Sequence, residues 1–269
     1  VTNKAGSGTP GGITLTARED PGIRAVSAAA SVAVGAGTFG AGVAGAGAWA
    51  RNEITTATSA TITDATLTSG GKVSLTAEDT SQITAIIAAV AIGVGAGAGG
   101  LGVAIGGAVA ENIISTVTTA QILRSSVFYT VSSDLTLQAT TNQVINALVL
   151  AGSMAVAVGD GGAVGASGAA ARNSITGQTT ASVDGGVTGA TIGSETVPVA
   201  SITIKALDTS LINAVTGAAS IAASFGPNVG VAIGIGVALA WNRIDNAVDA
   251  AVVNAVVTGS GPFNLAADE

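Results

Sequence analysis

The sequence predicts an all-β protein, built as an elongated repeat array. The expected form is a β-solenoid-like stack of units about 60 residues long with Gly/Ala-rich long strands. Three observations predict this fold class. Large apolar residues alternate with small ones at a period of two, the same landmarks recur four times, and only 9% of the residues are charged. A series of tandem long antiparallel β-hairpins would satisfy the same observations and remains the alternative.

Each repeat opens with a short strand in which apolar and polar residues alternate. These strands begin at Ile13, Val73, Leu135 and Ile202, and a fifth begins at Phe263. The starts are therefore 60, 62, 67 and 61 residues apart. This recurrence divides the chain into the end of a preceding unit (1–12), four repeats (13–72, 73–134, 135–201 and 202–262) and the start of a fifth (263–269).

The uncharged part of each repeat is predicted to form long strands. In the fourth repeat, residues 229–241 carry large side chains on the odd positions and glycine or alanine on all the even ones. A period of two is typical of a β-strand, whereas a helix would distribute these large side chains around its circumference. The alternation therefore argues against transmembrane helices, although each uncharged run exceeds the roughly 20 residues that span a bilayer.

These strands have one bulky and one nearly flat apolar face. A sheet with one face in water would alternate apolar with polar residues, so both faces are expected to be covered. The flat Gly/Ala face permits close approach of a second sheet, and the bulky face needs a further layer or another chain. The residues predicted to stack and self-associate are Val229, Val231, Ile233, Ile235, Val237, Leu239, Val103 and Ile105. Glycine-rich centres (35–42 and 95–102, for example) are predicted turns, and the insertion at 176–201 is a predicted peripheral loop.

An asparagine recurs at the end of each long apolar stretch, in the pattern Ala-x-Asn-x-Ile. In a parallel stack of coils, these side chains would lie above one another and form an amide ladder. We expect a structural role, in which a buried amide caps the backbone and sets the register between coils. The predicted ladder consists of Asn52, Asn112, Asn173 and Asn242.

Composition excludes several classes of chemistry. The chain has no histidine and no cysteine, which excludes Ser-His-Asp and Cys-His catalysis, the usual zinc sites, haem, iron–sulfur clusters and disulfides. A net charge of −7 argues against nucleic acid as a partner. Segments 35–40 and 97–102 match G-x-G-x-x-G, but a chain with 39 glycines produces such matches by chance. We therefore predict that the protein is not an enzyme.

Carboxylates recur just before the long strand of several repeats. Because calcium takes oxygen ligands, Asp20, Asp79 and Asp208 are the candidate calcium ligands, and no other cofactor is predicted. The third repeat has Thr141 and Asn142 at this place, and a charged bend that stays in water would explain the other repeats.

One repeat reads Leu-Thr-Ala-x-Asp-x-Ser-x-Ile, then Ala/Val/Gly alternation, then Ala-x-Asn-x-Ile. This order resembles the repeats of very large bacterial surface proteins, the β-strand-repeat or filamentous-adhesin group that includes leukotoxin-type adhesins. The resemblance covers residues 13–267. It implies secretion, an elongated fibre at the cell surface, and an attachment or sheath-like role. No residue maps onto a leukotoxin-like membrane activity.

We therefore expect a non-enzymatic structural or adhesive segment of an extracellular bacterial fibre. Its expected partners are copies of itself, further repeats of the same chain, or the surface of a host or neighbouring cell. Two alternatives remain: a membrane-inserting β-hairpin protein, and a surface module that binds calcium or sugar. The lack of a polar sheet face argues against a porin-like wall in a membrane.

Overall fold

A computed structural model describes residues 2–3, 11–228 and 230–269, with residues 2–3 described as backbone only. All the regular secondary structure in these described residues is β-strand, as the sequence predicts. Among them, no helix is long and apolar enough to cross a bilayer.

Each full coil contains four strands in a fixed order: a short one, two long ones and a second short one. The two long strands have 15 and 23 residues, respectively, in every coil. The strands are β1 (Thr2–Asn3), β2 (Ile13–Glu19), β3 (Gly22–Ala36), β4 (Ala41–Thr63), β5 (Thr66–Ser69), β6 (Val73–Asp79), β7 (Gln82–Ala96), β8 (Leu101–Leu123), β9 (Ser126–Tyr129), β10 (Leu135–Thr141), β11 (Val144–Val158), β12 (Gly162–Asp184), β13 (Ala190–Ile192), β14 (Ile202–Asp208), β15 (Leu211–Phe225), β16 (Val231–Val253), β17 (Ala255–Val257) and β18 (Phe263–Asp268).

Equivalent strands of successive coils pair side by side in four parallel sheets. Sheet I contains β2, β6, β10, β14 and β18; sheet II contains β3, β7, β11 and β15; sheet III contains β4, β8, β12 and β16; sheet IV contains β1, β5, β9, β13 and β17. The two long strands of one coil lie in different sheets and do not pair with each other. The alternative of antiparallel hairpins is therefore wrong, and the stacked solenoid is confirmed.

The register is constant along the stack. The 15-residue strands of sheet II pair over their whole length without a shift, from Gly22↔Gln82 to Ala36↔Ala96 in the first pair. In the third coil, the extra residues lie in the connections 185–189 and 193–201, outside the long strands. A one-residue shift would move every apolar side chain to the other face, so length varies outside the long strands, in connections such as these and in the turns between the two long strands. The predicted peripheral loop at 176–201 is wrong for residues 176–184, which complete β12.

The cross-section of the stack has two parts, which we name the head and the blade. In the head, sheets I and IV and the second half of sheet III enclose a core of large apolar side chains. In the blade, sheet II packs against the first half of sheet III. The fully buried side chains of the head core include Leu75, Ile122, Leu137, Ile192 and Ile204.

The interior of the blade contains mainly alanine and glycine, with Ile87 and Val149 of sheet II buried among the alanines. A Cβ added at Gly42 would lie 2.0 Å from the carbonyl oxygen of Val94, and one added at Gly102 would lie 2.2 Å from that of Val156. The two backbones are therefore in direct contact across the blade, and no larger side chain fits there. Both layers present their flat faces inward, as the sequence indicates. Buried alanines such as Ala91 and Ala104 fill the remaining space.

Candidate functional site

The four asparagines of the predicted ladder occupy one column inside sheet III. Strand pairing places Asn52 beside Asn112, Asn112 beside Asn173, and Asn173 beside Asn242. Each amide nitrogen donates to the amide oxygen of the next coil, over 2.8, 2.7 and 2.8 Å in chain order. The first three side chains are buried, so the chain of amide bonds satisfies polar groups that water does not reach.

Isoleucines form a second column next to the amide ladder. Ile54, Ile114 and Ile175 of sheet III face Ile83 and Ile145 of sheet II, and all five are buried. These large side chains lie where the narrow blade widens into the head. The amide ladder therefore lies between a close-packed alanine region and a wider apolar region. A one-coil slip would keep these columns aligned, but a slip along a strand would break both.

The predicted self-association residues lie on the outer face of the blade half of sheet III. Ile105 is 57% exposed, and the predicted members in β16, from Val231 to Leu239, are between 48% and 64% exposed. No element in the described part of the chain covers this face. Val229 lies outside the described residues. The exposed members are Ile105, Val231, Ile233, Ile235, Val237 and Leu239, and Val103 lies in the same face, partly covered by its neighbours.

The outer face of sheet II is apolar as well. Val26, Val32 and Val34 of the first coil and Val215 and Ile221 of the fourth are each more than 60% exposed. Apolar side chains on a soluble monomer normally occur singly or in small patches. The blade instead presents two apolar faces on opposite sides, with the alanine layer between them.

A charged column marks the end of the apolar face on sheet III. Arg51, Glu111, Arg172 and Trp241 pair in sequence across the four strands. The carboxylate of Glu111 lies 3.7 Å from the guanidinium group of Arg51 and 3.7 Å from that of Arg172. Sequence reasoning missed this column, although the charged residues that directly follow the uncharged runs of the first two repeats, Arg51 and Glu111, belong to it.

The three candidate calcium ligands do not lie together. Strand pairing aligns Glu19, Asp79, Thr141 and Asp208 in one column, so Asp79 and Asp208 are separated by a whole coil that carries a threonine. Asp20 lies outside this column, in the exposed bend, and accepts a hydrogen bond from Thr80 over 2.8 Å.

The two buried carboxylates have partners in the protein. Asp79 accepts hydrogen bonds from Thr56 over 2.6 Å and from Ser81 over 2.5 Å. Asp208 accepts one from Ser210 over 2.5 Å, and burial raises the pKa of Asp208 above its usual value despite this bond. Among the residues with described side chains, no group of three or more acidic residues could hold a metal ion. The geometry therefore gives no support to calcium at Asp20, Asp79 and Asp208.

In the third coil Thr141 takes the position of these carboxylates, and a large neutral side chain is buried two residues further on. Gln143 is fully buried and donates from its amide nitrogen to the hydroxyl of Thr116. Gly177 lies opposite, where a Cβ would come within 3.3 Å of that nitrogen and 3.0 Å of the Asn246 amide oxygen. The glycine thus leaves room for the glutamine, and the two substitutions compensate for each other.

The two G-x-G-x-x-G segments lie at the tip of the blade. Gly37 and Gly97 have φ values of +145° and +149°, and strands follow both turns where a dinucleotide site would need a helix. A Cβ on Gly97 would lie 1.7 Å from the carbonyl oxygen of Gly37. These glycines are therefore needed for the turn and for the close stacking of successive turns.

Comparison with known proteins adds no relationship, because no family model matches the chain and no curated protein is similar to it.

Proposed function

We propose that this chain is a non-enzymatic structural segment of an extracellular fibre, which associates with further copies through the apolar faces of its blade. The observation that carries this proposal is the combination of unbroken parallel pairing with two apolar faces that the described chain leaves uncovered. In this proposal, the paired coils make the segment stiff and the two apolar faces of the blade make it adhesive.

Stiffness follows from the way the coils are joined. Backbone hydrogen bonds connect every coil to the next along all four sheets, and a ladder of side-chain amides runs beside them. Stacked repeats of this kind add stability mainly through the interface between neighbours. Inside the blade, the direct contact of the two backbones leaves little space for independent movement of the layers.

Adhesion follows from the outer faces. Burial of apolar surface contributes roughly 25 cal/mol per Å², so broad uncovered apolar faces favour association in water. The resemblance to filamentous adhesins supports an extracellular location and an attachment or sheath-like role. The absence of cysteine means that assembly of this segment would depend on packing and not on disulfides.

Sedimentation velocity over a concentration series tests this proposal with the purified 269-residue chain. We expect concentration-dependent association, together with resistance to protease. A double variant, Ile105→Lys with Ile235→Lys, places charges on the outer face of sheet III and should reduce association while the circular dichroism spectrum stays unchanged. A wild-type chain that remains monomeric at all concentrations would contradict the proposal.

Insertion into lipid is the second candidate, and one observation favours it. Aromatic side chains flank the apolar region of the blade, with Trp49 and Trp241 near the charged column and Phe39 and Phe225 near the tip. Aromatic residues have this position at the two interfaces of membrane proteins. Flotation of the wild-type chain with phosphatidylcholine vesicles would support this candidate, and recovery in the unbound fraction would exclude it.

A further inference from the structure

We infer that the outer face of sheet III in the blade pairs with the same face of a second copy, with the two stacks running in opposite directions. This inference rests on the proposed function and specifies its geometry. The two-fold axis would lie parallel to the strands, between the second and third coils. Coil 1 of one copy then faces coil 4 of its partner, and coil 2 faces coil 3.

The sizes of the side chains on this face fit such an arrangement. One column across the four coils contains Gly45, Ile105, Ala166 and Ile235. Reversal of the coil order places Gly45 opposite Ile235 and Ile105 opposite Ala166, so that each large side chain faces a small one. Open space surrounds Gly45, where an added Cβ would meet nothing within 4 Å. The side chain of Ile235 in one copy can therefore fill the open space at Gly45 of the other.

In the neighbouring column, which begins at Gly47, a small residue again faces a large one at the two ends. Gly47 of the first coil would face Val237 of the fourth, and an added Cβ at Gly47 also meets nothing within 4 Å. Val237 is 50% exposed and projects from the same face. At the centre of this column Gly107 would face Gly168, so size complementarity covers the whole of the first column and the two ends of the second.

The charges at the end of the face agree with this orientation. Glu53 and Arg243 share one column and lie at opposite ends of the four coils, so reversal brings each of them against the other. Glu111 would face Arg172, and Arg51 would face the ring of Trp241 in a cation–π contact. Every charge in these contacts meets an opposite charge or an aromatic face.

The other possible two-fold axis, parallel to the direction of stacking, fits poorly. It would place coil 4 against coil 4 with reversed strands, so that Ile235 would meet Val237 and Gly45 would meet Gly47. Arg51 would then face Ala41 at the tip of the partner. Burial of charged side chains against apolar surface is costly. This axis would also press Ile235 against Val237 and leave the open space at Gly45 and Gly47 unfilled. Both charge and size therefore favour opposed stacks.

The area of this face is sufficient for a specific interface. Thirteen positions along a strand (41–53 in the first coil) at ~3.3 Å each, and four strands spaced by ~4.8 Å, cover roughly 800 Å². A standard protein–protein interface buries about 800 Å² on each partner. The four coils thus provide about one standard interface.

Charge reversal tests the inference, with Glu53→Arg and Arg243→Glu as two separate variants. Each variant alone would place two like-charge pairs in its own homodimer, and we expect its dissociation constant to rise by about tenfold or more. In an equimolar mixture of the two variants, both pairs become opposite, so the mixture should associate as the wild type does. Sedimentation velocity measures all three samples. Arg18→Glu on the head is the control with the same charge change as Arg243→Glu, and it should leave association unaltered.

The outcomes separate the inference from the proposed function. If the wild type does not associate, the proposed function fails. If the wild type associates but the single variants do so equally well, or the mixture does not recover, only the paired geometry is overturned. If the wild type stays monomeric and floats with phosphatidylcholine vesicles, the paired geometry is overturned and lipid is the partner of this face.

Cross-linking checks the orientation independently, because the chain has no native cysteine. A mixture of the Gly47→Cys and Val237→Cys variants should form a mixed disulfide dimer under oxidation. Neither variant alone should cross-link, because the two identical thiols of its homodimer would lie three coil spacings, about 14 Å, apart. Rapid cross-linking of Gly47→Cys with itself would overturn the opposed orientation.

Discussion

The centre of the amide ladder provides the sharpest test of the interior. Asn112 is fully buried, accepts from Asn52 and donates to Asn173. The change Asn112→Ala would leave the Asn52 amide nitrogen and the Asn173 amide oxygen without these partners. An unsatisfied buried polar group costs about 1–3 kcal/mol, so we expect a loss of about 2–5 kcal/mol in the free energy of unfolding.

The matched control is Asn242→Ala, at the outer end of the same ladder. Asn242 is exposed and makes one ladder bond, so its loss should cost about 1 kcal/mol. Guanidinium chloride unfolding, followed by circular dichroism at matched protein concentration, measures both variants and the wild type. Equal shifts for the central and terminal variants would refute the reasoning, because they would show that burial of the ladder has no energetic consequence.

Three other changes test different parts of the interior. Gly102→Val should destabilise the chain by about 3 kcal/mol in the same unfolding assay, because the Cβ would overlap a facing carbonyl oxygen. Gly22→Val, at the exposed start of β3 and away from the proposed interface, should change it by less than about 0.5 kcal/mol. Gly177→Thr should lower the thermal midpoint, since its side chain would compete with Gln143 for space; an unchanged midpoint would contradict the proposed compensation. The raised pKa of Asp208 predicts a contribution to stability that is full below the unfolded-state pKa of 3.8 and is lost as the pH rises through the folded-state value. Asp208→Asn should remove this slope, and a pH profile of unfolding identical to that of the wild type would argue against it.

The coil landmarks made much of the fold accessible from sequence. The alternation at 229–241 indicated strands, and the recurrence of asparagine at one distance from each repeat start indicated that coils would align. The choice between parallel coils and antiparallel hairpins lay beyond the sequence, because both have a period of two. The decisive fact is that β3 and β4 pair with the strands of the next coil and not with each other.

The site was harder to predict for a reason of register. Glu19-Asp20 and Glu78-Asp79 look equivalent as Glu-Asp pairs, yet Glu19 is the residue that pairs beside Asp79. A shift of one residue at a bend separates a buried column from an exposed one. The charged column at Arg51 escaped notice because its members alternate in sign and so form no recurring motif.

The strands run perpendicular to the direction in which the coils stack, and this sets the number of residues needed for a given length. Each coil of about 60 residues advances the stack by only ~4.8 Å, whereas the same residues fully extended would reach about 200 Å. A body 1,000 Å long would therefore require on the order of 10,000 residues. Each added repeat therefore lengthens the stack little but extends the apolar outer faces of the blade by one strand, so their area grows in proportion to the number of coils.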